Sequence, residues 1–67
     1  MEIRIKFGQR VRKFRKLRGF SHEELAYEAG SNRTYVSDVE RGTRNPSLDF
    51  IARVSSALNV KMGELLD

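Results

Sequence analysis

Apolar residues in the first third of the chain recur at helical rather than strand spacing. Phe7, Val11, Phe14 and Leu17 fall three or four apart, with cations filling the other faces. The opening Ile3-Arg4-Ile5-Lys6-Phe7 alternates as a strand would, but the stretch is short and Gly8 follows. A first helix is therefore predicted over roughly 5–18, stopped by Gly19. Phe20-Ser21-His22-Glu23-Glu24-Leu25 reads as a helix start. Ser21 can cap the amide of Glu24 while Glu24 reaches back to Ser21, and Phe20 and Leu25 take the two positions of a hydrophobic staple. A second helix over about 22–29 would bury Leu25, Ala26 and Ala29 and end at Gly30. After one short turn, Ser31 or Asn32 starts a third helix with Val36 and Val39 inward, ending before Gly42. Thr43-Arg44-Asn45-Pro46 reads as a loop. Ser47 should cap a fourth helix over about 48–58, with Leu48, Ile51, Val54 and Leu58 inward and Asn59 in the left-handed turn position. Lys61–Leu66 should form a short fifth helix anchored by Leu65 and Leu66.

Composition narrows what such a bundle can do. The chain has 67 residues, which is one small domain spanning 1–67, with no repeat or linker. It has no cysteine and a single histidine, so thiolate sites, Cys–His pairs and multi-histidine metal sites are excluded. Glu23, Glu24 and Glu28 share one helix and read as cap and surface, not as an acid–base pair. No phosphate-binding loop pattern occurs. We expect no enzymatic activity, no cofactor, no metal and no small-molecule ligand. Apolar runs are two or three residues long, far short of the roughly 18 of a membrane span or of a signal-peptide core, so a cytoplasmic location is expected.

Charge points toward a polyanion. Thirteen Lys/Arg against nine Asp/Glu give +4. Residues 1–18 carry eight cations and one anion, net +7, whereas residues 19–67 carry five cations and eight anions, net −3. A field this lopsided can orient an approaching nucleic acid, although a solvated helix face would carry the same charges.

The second and third helices, joined by Gly30 and a tight polar turn over about 21–41, form a helix-turn-helix, with Ala26 allowing close crossing. Such a pair lays its second helix in the DNA major groove while the start of the first meets the backbone. With Val36 and Val39 inward, steps of about 100° turn Thr34, Ser37, Asp38 and Arg41 outward. Arg33 lies to one side near the N-terminus and Tyr35 on the other flank. Arg33 is the first candidate for a base contact, as two bonds to a guanine; Thr34 and Ser37 are further candidates. Three readings of Asp38 stay open: pairing with a nearby arginine, accepting from a cytosine amine, or repelling wrong sequences. Backbone contacts are expected from Ser21 and His22, from Tyr35, from the Arg44, Asn45 and Ser47 loop, and from Arg10 and Arg41.

Phe20-Ser21-His22-Glu23-Glu24-Leu25-Ala26, Glu40-Arg41-Gly42 and Asn45-Pro46-Ser47 resemble the Cro/repressor-type (XRE) helix-turn-helix family in order and spacing, from about Gly8 to Leu66. Within it, Arg33-Thr34-Tyr35, Ser37 and the Glu40–Ser47 stretch look most like the small controller proteins of restriction–modification systems. The resemblance implies an all-α, compact five-helix, lambda-repressor-like DNA-binding domain. It also implies a transcriptional regulator acting as a homodimer on double-stranded operator DNA, and an Arg15–Glu40 structural pair. One departure is His22, where the family usually has a glutamine that contacts a phosphate; an exposed histidine without a role is the alternative. The expected dimer surface is Val60, Met62, Leu65 and Leu66 with the outer side of the fourth helix, unless these residues merely close the monomer core. Rivals within the class are a phage-type repressor and an antitoxin that represses its own operon. Outside it stand a protein-interaction module without DNA binding, and attachment to a membrane surface through the basic first helix. That last use conflicts with the need of Phe7, Val11, Phe14 and Leu17 for the core.

Overall fold

Five helices make up about two-thirds of the chain: α1 (Ile3–Leu17), α2 (His22–Glu28), α3 (Arg33–Glu40), α4 (Leu48–Leu58) and α5 (Met62–Leu66). The computed structural model describes residues 2–67. Helix α1 starts earlier than the spacing predicts, because Glu2 caps it by accepting from the Arg4 amide at 2.9 Å. That bond, foremost, holds the Glu2 carboxyl below its usual pKa. The alternating opening is therefore the first turn of a helix, with Ile3 and Ile5 exposed.

The other caps follow the sequence. Ser21 and Glu24 form the reciprocal capping box at α2. Asn32, not Ser31, caps α3 by accepting from the Tyr35 amide. Ser47 caps α4 by accepting from the Phe50 amide. Helices α1 to α4 each end in the same pair of backbone bonds. At α3 the Thr43 amide donates to the Asp38 carbonyl and the Gly42 amide to Val39; at α4 the Val60 amide donates to Ser55 and Asn59 to Ser56. This closure needs a left-handed residue, which Asn59 supplies with φ 57°.

Helix α1 packs on α3 and α5, α2 on α3 and α4, and α4 on α5 and α1. The core is Phe7, Val11, Leu25, Ala26, Ala29, Val36, Val39, Phe50, Ile51, Val54, Leu58 and Leu65. Two residues expected inside are outside. Leu17 is 64% and Leu48 76% exposed, while Phe50, unassigned from the sequence, is buried. The buried arc of α4 is centred between Val54 and Leu58. Phe50 lies about 70° to one side of that centre and Leu48 nearly 90° to the other. On α1 the inward face includes Gly8 and Arg15, which moves its centre well away from Leu17. Phe14 is half-buried.

Gly8 sets the distance between α1 and α3. A Cβ there would sit 2.2 Å from the Val39 carbonyl oxygen and 2.8 Å from that of Glu40. Only a residue without a side chain lets α1 lie against the C-terminal turn of α3 this closely. No helix among the described residues is long and apolar enough to cross a membrane.

Candidate nucleic-acid interface

Helix α3 presents its outer side because Val36 and Val39 are 0% and 1% exposed and hold the opposite face in the core. Arg33, Thr34 and Arg41 are exposed, and Ser37 and Asp38 are half-buried beside them. These five residues line a shallow cleft of about 240 Å³. A second, larger hollow of about 390 Å³ adjoins it and shares Ser37 and Arg41. Its remaining walls are Arg12, Arg15 and Lys16 of α1, His22 at the start of α2, and Glu40. The two hollows make one surface running from α1 across the helix-turn-helix. Arg12 and Lys16 join it from the cationic run of α1. Their charge was plain in the sequence, but nothing local told which of eight cations face the turn.

Beneath this surface lies a buried ionic hub. Arg15 Nε donates to Glu40 Oε2 at 2.6 Å, Nη2 to Oε1 at 3.2 Å and Nη1 to the Phe20 carbonyl at 2.8 Å. The Arg15 and Glu40 side chains are 9% and 5% exposed. The fork thus ties α1 to the end of α3 and to the chain entering α2. His22 Nε2 lies 3.1 Å from Glu40 Oε1. A carboxylate only accepts, so Nε2 carries the proton and donates. The sequence suggests His22 as a phosphate donor, yet its Nε2 proton is already engaged. A neutral ring then offers a phosphate only the acceptor Nδ1. To donate to a phosphate, His22 would have to leave Glu40 or carry a second ring proton.

The flanking residues are organised as well. The Ser21 and Ser47 hydroxyl oxygens accept backbone amides at their helix starts, which leaves each O–H free to donate outward. Tyr35 is half-buried and meets Phe50 edge to face, with ring centres 4.7 Å apart. The Arg44 guanidinium lies 5.1 Å above the Tyr35 ring. Arg41 donates to Ser37 Oγ at 2.9 Å and to Asp38, and Arg44 Nε donates to Asp38 Oδ2 at 3.3 Å. Asn45 is exposed in the loop.

Two other assignments meet different surroundings. Arg10 donates to the Glu64 carbonyl at 3.0 Å, so its guanidinium fastens α1 to α5 instead of joining the helix-turn-helix surface. Leu65 is fully buried within the monomer and has no surface to offer a second copy. Val60 and Leu66 are half-buried and Met62 is 37% exposed. Among the described residues, no group of three or more His, Asp or Glu is placed to hold a metal ion.

Known proteins share both sequence and shape with this chain. A helix-turn-helix family profile matches residues 11–65. Control protein C.BamHI of Bacillus amyloliquefaciens is 53% identical over 66 residues, covering 97% of this chain and 82% of that protein. The HTH-type transcriptional regulator SinR of Bacillus subtilis (strain 168) is 44% identical over 61 residues, covering 90% of this chain and 55% of SinR. Among solved structures, the restriction-modification controller protein C.AhdI from Aeromonas hydrophila superposes with a TM-score of 0.90 at 47% identity, over 92% of this chain and 90% of that one. The biofilm master regulator SinR in complex with DNA superposes at 0.87 and 44% identity, over 91% and 98%. With its capped second helix, its glycine turn and its outward third helix on this scaffold, the chain belongs to the Cro/repressor-type helix-turn-helix family.

Proposed function

We propose that the chain is a sequence-specific, double-stranded DNA-binding transcriptional regulator of the restriction–modification controller kind, acting as a homodimer on operator sites. The observation that carries this is the outer side of α3. Its inner valines are sealed in the core, so Arg33, Thr34 and Ser37 are held rigidly outward on a surface that continues into Arg12 and Lys16. Likeness to control proteins and to a regulator solved on DNA supports the same reading. Arg33, Thr34 and Ser37 read base edges, with Arg33 the bidentate partner of a guanine. Ser21, His22, Tyr35, Arg41, Arg44, Asn45 and Ser47 fix the register on phosphates and sugars. Regulation, not catalysis, is the role of such a surface.

One recognition helix reads only a few base pairs. Two copies related by a two-fold axis would set their α3 helices about 34 Å apart, on successive major-groove faces. The dimer surface is Val60, Met62 and Leu66 with the outer side of α4, where Leu48 is also exposed. Operator occupancy then depends on protein concentration through dimerisation.

The test is selection of bound duplexes from a random pool. A recovered motif with two-fold symmetry supports both specificity and dimerisation. Recovery of no motif would overturn the reading. Affinity for the selected site should fall roughly a thousandfold or more between 50 and 200 mM salt, as for six to ten phosphate contacts. A salt-insensitive interaction would point instead to a protein-binding module.

A further inference from the structure

We propose that Asp38 is a positioning residue that sets the preference of this surface for its own site over other duplex DNA, by holding Arg41 and Arg44 through its two carboxylate oxygens. The inference rests on the DNA-binding reading above and deepens it.

Asp38 sits on the outward face of α3 between Thr34 and Arg41, and its side chain is only 17% exposed. One carboxylate oxygen accepts from Arg41 Nη2 and the other from Arg44 Nε at 3.3 Å. A cytosine amine approaching this carboxylate would have to compete with two guanidinium groups already in place. The Arg41 pair taken alone would be an ordinary neighbour contact along a helix. The Arg44 pair is not, because Arg44 comes from beyond the end of α3. The main chain of Asp38 helps to bring it back: its carbonyl accepts both the Thr43 amide at 3.1 Å and the Thr43 hydroxyl at 3.0 Å. Each arginine also has a second hold, Arg41 on Ser37 Oγ and Arg44 on the Tyr35 ring. Residues 35, 37 and 38 thus form one support that aims two cations.

This support changes specificity in two ways. A guanidinium free to swing finds a phosphate on any duplex. One held by a carboxylate and a neighbour meets a phosphate only where the duplex is in register, so the penalty for wrong register rises. The carboxylate also offsets part of the charge of Arg33, Arg41 and Arg44, which weakens sequence-independent attraction. Both effects lower affinity for unrelated DNA more than for the correct site.

The experiment measures D38N on the site recovered by selection and on an unrelated duplex, from 50 to 200 mM salt. Folding is checked by circular dichroism, and D38E serves as the charge-conserving variant. D38N should bind unrelated DNA about fivefold more tightly, the scale expected from removing one surface anion near phosphate. Its ratio of site to unrelated affinity should fall about tenfold, with the loss spread over several base pairs. Its salt dependence should steepen by about one phosphate contact. D38E should recover part of the ratio. In a chain carrying R41Q and R44Q, adding D38N should change the ratio less than about twofold. An unchanged ratio in D38N overturns the proposal, as does an equal loss of ratio in the R41Q/R44Q background. Loss of preference at a single base pair also overturns it, since Asp38 would then read that base. If the parent chain itself prefers no duplex, the DNA-reading function falls and this proposal with it. If the parent prefers its site and D38N keeps that preference, this proposal alone falls.

Discussion

Replacing Gly8 by alanine sets two effects of opposite sign against each other. Helix propensity favours alanine over glycine in a helix interior by about 1 kcal/mol. Packing opposes it. The new methyl would lie 2.2 Å from the Val39 carbonyl oxygen, and contact becomes ordinary only at about 3.4 Å. Helix α1 must therefore withdraw from α3 by about 1.2 Å. The obstructing atoms are backbone, so no rotamer relieves them. Overpacking of this sort costs about 1–3 kcal/mol or more, and the upper part of that range applies here. The net effect should be a loss of about 1–2 kcal/mol, out of the roughly 3–10 kcal/mol expected for 67 residues. Gly63 provides the control. A Cβ there meets only Asp67 Oδ2 at 3.9 Å, so Gly63→Ala should gain up to about 1 kcal/mol. Urea midpoints are compared at one fixed protein concentration, because association would shift them. If Gly8→Ala proves as stable as the parent chain, the close approach of α1 to α3 is refuted.

Other perturbations separate the remaining claims. Arg15→Ala leaves Glu40 buried with only His22 beside it and should cost about 3–5 kcal/mol in the same urea assay, whereas Arg15→Met with Glu40→Leu should stay much closer to the parent. Arg33→Ala should weaken the selected site by about 1–3 kcal/mol and relax preference at one base position, measured by fluorescence anisotropy; unaltered specific binding would remove Arg33 as the reader. Glu2 is held below its usual pKa, so its cap supports α1 at neutral pH and is lost as pH falls through the carboxylate range. Protection of the Arg4 amide, taken as its exchange rate relative to that of a free peptide at the same pH, should diminish over that fall in the parent chain and be absent at every pH in Glu2→Gln to the extent that the amide side chain caps less well.

Much of this molecule is local and was therefore legible in its residues. Caps, helix ends and helical periods are settled within four or five positions, where one residue's side chain meets its neighbours' amides. That is why the sequence alone indicates the roles of Ser21 with Glu24, of Ser47 and Asn59, and of the inward pair Val36 and Val39. The alternation at Ile3–Phe7 was too short to indicate a strand, and the helix begins at Ile3, two residues before the expected start, because Glu2 caps it. What lies between helices was decided by packing. Whether Phe50 or Leu48 turns inward depends on where the faces of α2, α4 and α5 meet, not on the spacing of leucines. Gly8 looked like an interruption and is instead the contact that lets α1 approach α3. The partners of His22 and Arg10 were chosen the same way. Glu40 is 18 positions from His22 and Glu64 is 54 from Arg10, distances along the chain over which no local rule acts. Periodicity says which side of a helix is polar; only the neighbouring helices decide which polar groups are used up inside the molecule and which remain for a partner.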